Sequence, residues 1–246
     1  MISKNRLKDL AAYRMQKRCD EDGVFVVEGP KMAAEAMKSG FAVRAVCATT
    51  EWMETYSPTP GLECYEVSPA ELERLSNFKT PNQVWMLVER GDNSSFPTPH
   101  SSLVLALDRI QDPGNMGTMM RTADWYGIRH IVCSTDTVSC YNPKVVQASM
   151  GAVFRTRVEY VDLPQWLSDC GMPVFGASLQ GNPIGEAQRP DGTAVLLIGN
   201  ESRGISPEAM ARVTHPVLIP NIGGTAESLN ASVAAGILID RLWTNN

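Results

Sequence analysis

Five apolar runs in the second half of the chain restrict its fold more than any other feature. None of them alternates apolar with polar residues, which is typical of parallel strands that are covered on both faces of a sheet. Helix-like stretches with short connections separate the runs. They lie at 103–107, 130–133, 174–177, 195–198 and 217–219. This order predicts an α/β domain with a parallel sheet over residues 103–246.

The first third of the chain also mixes strand-like and helix-like stretches. Strands are predicted at 24–27 and 42–48, with a helix at 30–39 that Gly40 ends. Residues 91–102 are rich in Pro, Ser and Asn and show no periodicity. We therefore predict a smaller N-terminal α/β domain over 1–90, a linker over 91–102 and the parallel-sheet domain after it.

Composition excludes several classes of protein. Apolar residues make up 43% and charged residues 20% of the 246 residues, which is ordinary for a globular protein. No apolar run approaches the ~18–20 residues of a membrane helix, and no apolar stretch follows the N-terminal charges as in a secretory signal. A cytoplasmic protein that does not insert into a membrane is expected.

Cysteine and histidine usage argues against metal and hydrolase chemistry. The six cysteines form no CxxC pair and have no histidine at ligand spacing, so neither a zinc site nor a disulfide framework is predicted. The patterns GxSxG, GxxxxGK[ST] and a helix-opening GxGxxG are absent as well. The expected metal content is none.

Charge is concentrated at the N-terminus. The net charge of −5 gives no general attraction to nucleic acid, yet residues 1–18 hold six basic residues against the single acid Asp9. Such a segment can follow phosphates, or it can be a solvated helix face. The six are Lys4, Arg6, Lys8, Arg14, Lys17 and Arg18.

The segment 112–121 reads as the start of a helix. Asp112 is suited to accept hydrogen bonds from the free backbone N–H groups at the helix start. Pro113 has no N–H, and an N–H at this position would have no partner inside the helix. Asn115 lies at the mouth of the helix, and Gly117 and Arg121 share one face. Considered alone, this is also the pattern of an ordinary capped helix that carries an arginine.

Two further polar segments follow apolar strands. In 197–204, Gly199 permits close approach, Gly204 permits a positive φ, and Glu201 adds charge; a tight surface turn is the simpler interpretation. After the strand that ends at Ile219, Ser228 is a predicted N-cap of the last helix. The apolar stripe of that helix suits a core or a subunit contact.

Together these segments resemble the SpoU (TrmH-like) branch of the SPOUT RNA methyltransferases. DPGNMGTMMRTA (112–123), LIGNESRG (197–204) and 219–235, with its IP and SLNASVAA, occur in the order and approximate spacing of the three family motifs. Residues 143–154 resemble the stretch between the first two motifs, and 4–31 resemble a small ribosomal-protein-like domain that holds RNA. The resemblance is most specific over 103–242.

The resemblance implies a fold and a reaction. The fold is a parallel-sheet SPOUT domain with a deep trefoil knot and a smaller N-terminal substrate-binding domain. The reaction is methylation of a ribose 2′-hydroxyl in structured RNA, with S-adenosylmethionine as the methyl donor and no metal. The family also implies a homodimer with the site near the subunit interface.

Site residues are carried over from the motifs. Arg121 corresponds to the catalytic arginine, supported by Asn115, Glu201, Ser228 and Asn230. The N-terminal basic residues become RNA contacts, with Lys31 added to the six above. The expected cofactor contacts are Leu179, Gly199, Asn200, Ile219 and Leu229.

One departure and several alternatives stay open at the level of sequence. Asn221 stands where the third motif usually has methionine, and the following loop is one residue longer. A separate RNA-holding domain favours ribosomal RNA over transfer RNA. The remaining alternatives are an RNA-binding relic without catalysis, a base-modifying enzyme of the same superfamily and, last, a metabolic α/β enzyme.

Overall fold

The computed structural model describes residues 2–56, 61–91, 103–187 and 192–244. The chain divides into two compact units: Met1–Ser95 with Tyr141–Phe154, and Phe96–Cys140 with Arg155–Asn246. Except for Gly91, the predicted linker at 91–102 lies outside the described residues. By contacts, residues 141–154 cluster with the first unit, although they follow the start of the second unit in sequence.

The first unit contains a four-stranded sheet with helices around it. The strand order is β1-β4-β2-β3, with β4 antiparallel to β1 and β2, and β2 parallel to β3. The strands are β1 (Val24–Glu28), β2 (Val43–Ala48), β3 (Glu63–Glu66) and β4 (Val84–Glu89). The helices are α1 (Lys4–Ala11), α2 (Gln16–Asp22), α3 (Pro30–Lys38), α4 (Thr50–Met53), α5 (Pro69–Leu75) and α7 (Pro143–Ser149).

An aromatic cluster in the first unit joins residues that are distant in sequence. The ring of Phe25 in β1 lies 4.7 Å from that of Tyr141 and 5.8 Å from that of Phe154. Phe41 meets Phe154 edge to face at 5.3 Å. Because Phe25 is fully buried and Phe154 is 5% exposed, the later segment completes the core of this unit.

The second unit is built on six parallel strands in the order β10-β8-β9-β5-β6-β7. The predicted α/β fold with a parallel sheet is therefore confirmed. The strands are β5 (Leu103–Asp108), β6 (His130–Ser134), β7 (Arg157–Val161), β8 (Val174–Pro183), β9 (Ala194–Gly199) and β10 (His215–Leu218). The helices are α6 (Pro113–Trp125), α8 (Leu163–Asp169), α9 (Pro207–Met210) and α10 (Ala231–Thr244).

Strand β7 has no counterpart among the predicted runs. Its sequence RVEYV mixes charged and apolar residues, and it forms one edge of the sheet, where none of its residues is fully buried. Edge strands do not need the continuous apolar sequence of strands with two covered faces. The central strand β5, by contrast, is buried along its whole length.

Strand β8 leaves the regular ladder in its middle. Phe175 and Gly176 pair with His215 and Pro216, whereas the next paired residue of β8 is Asn182, opposite Val217. Residues 177–181 therefore bulge from the sheet beside β10. A Cβ atom on Gly181 would lie 2.6 Å from the carbonyl carbon of Pro216, so only glycine fits this close approach. The trefoil knot that the family resemblance implies stays a prediction.

Helix length bears on membrane insertion. Within the described ranges, no helix is long and apolar enough to span a bilayer.

Candidate functional site

The first motif forms the start of α6, as predicted. The side chain of Asp112 accepts a hydrogen bond of 2.8 Å from the backbone N–H of Asn115, and Pro113 is the first helical residue. Four apolar residues of the helix (Met116, Met119, Met120 and Ala123) are buried, so they fix the rotation of α6 against the rest of the unit. The side chains of Asn115 and Arg121 lie outside this buried set.

Three side chains, one from each motif, are linked by hydrogen bonds. The amide group of Asn115 donates to the carboxylate of Glu201. The amide group of Asn230 donates to the Asn115 side-chain oxygen at 2.9 Å. The two bonds join residues 86 and 115 positions apart in the chain, so the tertiary structure brings the three motifs together.

Asn230 also begins the last helix. Its side-chain oxygen accepts hydrogen bonds from the backbone N–H groups of Ser232 at 3.0 Å and Val233 at 3.3 Å, and α10 starts at Ala231. The prediction that Ser228 is the N-cap was therefore wrong. Asparagine caps a helix as well as serine does, and only Asn230 has an amide group that can also donate to Asn115. Ser228 instead lies in the exposed loop before the helix.

An apolar cavity of about 400 Å³ lies beside this polar chain, among the elements of the third motif. Its walls come from the bulge of β8, the end of β10 and the loop after it, and the first half of α10. Leu179, Ile219, Leu229 and Ser228, all predicted site residues, line it. Such a volume is typical of small-molecule sites.

Large apolar side chains around the cavity are exposed to solvent. Leu179 is 72% exposed, Leu229 46% and Ile222 97%. Isolated exposed apolar side chains are common, but three at one cavity form an apolar surface that a ligand can cover.

Asn221, the residue that departs from the family motif, closes the loop that borders the cavity. Its side-chain oxygen accepts the backbone N–H of Gly224 at 2.7 Å, and its amide group donates to the Gly224 carbonyl at 3.0 Å. The Asn221 side chain thus makes, inside the longer loop, the kind of hydrogen bonds that a backbone turn would otherwise make.

The second motif forms a tight turn outside the cavity wall. Asn200 and Gly204 exchange backbone hydrogen bonds of 3.1 and 2.8 Å, and Gly204 has the predicted positive φ of +66°. A Cβ atom on Gly199 would lie 2.3 Å from the Gly204 carbonyl carbon. The contacts of Gly199 and Asn200 therefore shape the turn, and their predicted role in cofactor binding stays a prediction.

Arg121 is exposed on α6. Its guanidinium has no hydrogen-bond or ion-pair partner within the part of the chain that the structure describes. An arginine in this state can bind an incoming anionic or polar group without first breaking an internal ion pair.

The seven predicted RNA contacts fall into two groups. Arg6 pairs with Glu63, Arg18 with Asp22 at 2.9 Å and Lys17 with Glu21 at 3.9 Å. The other four are exposed and have no ion pair among the described residues. They are Lys4, Lys8, Arg14 and Lys31.

Asp108 and Arg109, at the end of β5, were not among the predicted site residues. Asp108 is only 2% exposed, and its side chain accepts the N–H of Ser206, just past the turn of the second motif. The carbonyl of Arg109 accepts the side-chain amide of Asn200, inside that turn. The signal in the sequence was a lone acid that ends a fully apolar strand, which is unusual for a buried position. No group of three or more His, Cys, Asp and Glu side chains that could hold a metal is present in the described ranges.

Known proteins match the chain over nearly its whole length. The pattern of the SpoU rRNA Methylase family matches residues 102–240, and that of the MRM3-like substrate binding domain matches 4–85. The 23S rRNA (guanosine(2553)-2′-O)-methyltransferase RlmP of Bacillus subtilis is 30% identical over 96% of this chain and 95% of its own.

Two solved structures with bound cofactor are also similar. The AdoMet-bound rRNA methyltransferase of Sinorhizobium meliloti is 27% identical with a TM-score of 0.84, covering 98% of this chain and 96% of that one. The SpoU methyltransferase AviRb of Streptomyces viridochromogenes, in complex with AdoMet, is 25% identical with a TM-score of 0.84, covering 98% of each chain. The chain belongs to the SpoU rRNA methylase family, which confirms the resemblance drawn from the motifs.

Proposed function

We propose that this chain transfers the methyl group of S-adenosylmethionine to the 2′-hydroxyl of a ribose in ribosomal RNA. The observation that carries the proposal is the hydrogen-bonded chain Glu201–Asn115–Asn230 beside the apolar cavity. The relative from B. subtilis acts on 23S rRNA at a 2′-oxygen, which supports the proposed substrate. Two similar structures hold S-adenosylmethionine, which supports the proposed cofactor.

The residues around the cavity fit S-adenosylmethionine. Leu179, Ile219 and Leu229 offer apolar walls for its adenosine part, and the loop backbone offers N–H and C=O groups for its polar edges. Ser228 adds a hydroxyl at the same wall. When bound, the cofactor would supply a methyl group on a sulfonium, whose sulfur leaves readily as a neutral thioether once the methyl group is transferred.

The protein has to align the ribose hydroxyl and ease its loss of a proton. Arginine stays protonated in proteins, so the role proposed for Arg121 is to bind the substrate and stabilise the developing alkoxide. Asn115, Glu201 and Asn230 hold the start of α6, the second-motif turn and the start of α10 in one arrangement. Cofactor contacts of Gly199 and Asn200 belong to this proposal as well.

The first unit is proposed to hold the RNA. Four of the predicted contacts (Lys4, Lys8, Arg14 and Lys31) are exposed and have no ion pair among the described residues, so they are suited to contact phosphates. Arg6, Lys17 and Arg18 are weaker candidates because acids already pair with them. A homodimer and a cytoplasmic location are also proposed. Val233 on α10, 50% exposed, is an apolar side chain suited to a contact with a second copy.

Calorimetric titration with S-adenosylmethionine tests the cofactor site. We expect micromolar-range binding by the unmodified chain and loss of that binding in Leu229→Arg. The substitution puts a charged guanidinium in the apolar cavity, in place of a side chain proposed to contact the adenosine part of the cofactor. Met15→Arg is the control, since Met15 is 66% exposed and lies in the first unit. Absence of binding by the unmodified chain would contradict the proposal.

Transfer of tritium from labelled cofactor then tests the substrate. Label in the ribose of unmodified ribosomal RNA is the expected result. Label in transfer RNA alone would reassign the substrate, and cofactor binding without transfer to either RNA would favour a binding protein over an enzyme.

A further inference from the structure

The carboxylate of Asp108 is buried in the middle of the second unit. It ends β5, which lies between β9 and β6, and it is 2% exposed. A buried carboxylate is costly unless hydrogen bonds and charges compensate it. Asp108 accepts the backbone N–H of Ser206 at 2.5 Å, and the Nε atom of Arg109 lies 3.7 Å from its other oxygen.

Ser206 lies just past the turn of the second motif, so Asp108 fixes the far end of that turn. The near end of the turn is fixed by Arg109, which follows Asp108 in the chain. The carbonyl of Arg109 accepts the side-chain amide of Asn200 at 3.0 Å, and the side-chain oxygen of Asn200 accepts the N–H groups of Ser202 and Arg203 at 3.0 and 3.1 Å.

The backbone of Arg109 is held in an uncommon conformation. Its φ of +58° lies in the left-handed region, which residues other than glycine rarely adopt. Its N–H donates to the hydroxyl of Ser134 at 2.8 Å, and its guanidinium reaches the Gly204 carbonyl at 3.4 Å. Such a conformation persists only where the surroundings hold it.

The turn that these contacts fix carries Glu201. The carboxylate of Glu201 accepts the amide group of Asn115, and Asn115 in turn accepts from Asn230. Asp108 pairs with Gly199 in the sheet, so the turn is attached to two adjacent central strands, β5 and β9.

We propose that Asp108 is a positioning residue for methyl transfer: its carboxylate fixes residues 200–206 so that Glu201 meets Asn115. This inference rests on the proposed function for its consequence in catalysis. Its structural part, the ordering of the turn, can be measured on the full chain without cofactor.

Amide hydrogen exchange of the cofactor-free chain is the first measurement. Asp108→Ala should speed exchange at Ser202, Arg203 and Ser206 by about tenfold or more, because the turn opens locally. Asp108→Asn retains an oxygen that can accept the Ser206 N–H, so it should restore most of the protection. Glu28→Ala is the matched control: Glu28, 6% exposed in the first unit, accepts the Asn77 N–H at 2.9 Å. It should leave exchange in the turn unchanged.

Ser206→Pro removes the donor instead of the acceptor. The φ of Ser206 is −61°, which proline adopts, so the backbone path is retained while the N–H is lost. This variant should loosen the turn as Asp108→Ala does, and it replaces that variant should Asp108→Ala not fold.

Kinetics with saturating cofactor and RNA give the second measurement. Asp108→Ala should lower kcat by about tenfold or more with the KM for RNA within about twofold, since misplacement by about 1 Å is enough for such losses. Asp108→Asn should recover most of kcat, and Glu28→Ala should not lower it.

The two measurements separate the two proposals. Unchanged exchange in Asp108→Ala and Ser206→Pro would overturn the positioning role, and so would faster exchange with an undiminished kcat. If the unmodified chain transfers no methyl group, the proposed function fails and the catalytic role of Asp108 fails with it, while the exchange data still decide whether Asp108 orders the turn.

Discussion

At the scale of single residues, Asn230 makes two kinds of hydrogen bond at once. Its oxygen caps α10, and its amide group donates to Asn115. An aspartate could make the first bond, but it has no donor for the second. The residue therefore couples the start of the last helix to the polar chain of the site.

Variants of Asn230 separate these two functions. Asn230→Asp keeps the cap, so the free energy of unfolding should change little, but it cannot donate to Asn115 and should lower kcat. Asn230→Ala should lower both kcat and, by about 1 kcal/mol, the free energy of unfolding. Urea denaturation and methyl-transfer assays check this, and full activity of Asn230→Asp would show that the bond to Asn115 is not needed.

Arg121→Ala tests the residue assigned to the developing alkoxide. We expect the single-turnover rate to fall by at least about 100-fold, because removal of one such electrostatic contact has effects of that size. The free energy of unfolding should be unchanged, since Arg121 is exposed. Arg212→Ala, another exposed arginine of the same unit, is the control. A variant that kept most of its rate would contradict the assignment.

At the scale of elements, the basic N-terminal helices differ along their length in how far acids neutralise them. Arg14 follows α1 and has no ion pair among the described residues, whereas Arg18 in α2 is 2.9 Å from Asp22. An exposed ion pair adds little stability, but it lowers the field that an approaching phosphate meets.

Paired variants of these arginines test the proposed RNA surface. Arg14→Ala should weaken RNA binding and reduce the slope of log affinity against log salt by roughly 0.7–0.9, the value for one phosphate contact. Arg18→Ala should change both by less. Filter binding at several salt concentrations measures this. Equal effects of the two substitutions would show that the ion pair with Asp22 does not matter for RNA.

At the scale of the whole molecule, the first unit depends on a segment that comes later in the chain. Phe154 is 5% exposed and packs on Phe25 and Phe41. Phe154→Ala should therefore lower the free energy of unfolding by about 3–5 kcal/mol, the usual cost of removing a buried phenylalanine. Trp125→Ala, at a residue that is 86% exposed, is the control and should have little effect in the same denaturation experiment.

Buried thiols give the stability of the chain a pH dependence in the alkaline range. Burial raises the pKa of Cys19 to about 11 and that of Cys47 to about 12, from an ordinary value of 9.0. Above about pH 9 the unfolded chain loses these protons and the folded chain does not, so unfolding is favoured as pH rises. The urea midpoint should fall between about pH 8.5 and pH 10.5, and by less in a Cys19→Ala/Cys47→Ala variant. An equal fall in both proteins would exclude Cys19 and Cys47 as the cause.

The sequence by itself determined the class of fold, because short continuous apolar runs that alternate with helix-like stretches are typical of parallel strands covered on both faces. It also determined the family, since the three motifs occur in order, and it named the residues that are proposed for the site. The helix start at Asp112 and the positive φ of Gly204 followed from local chemistry alone.

Only the tertiary structure decided how these pieces meet. The sequence placed the cap of the last helix at Ser228, because a local rule cannot show that Asn230 has a second partner 115 residues away. It did not show that acids neutralise Arg6 or that Asp108 reaches Ser206, 98 positions later. Local propensities act over a few residues, whereas these contacts depend on which strand ends lie side by side in the sheet, and that order is set by packing across the whole chain.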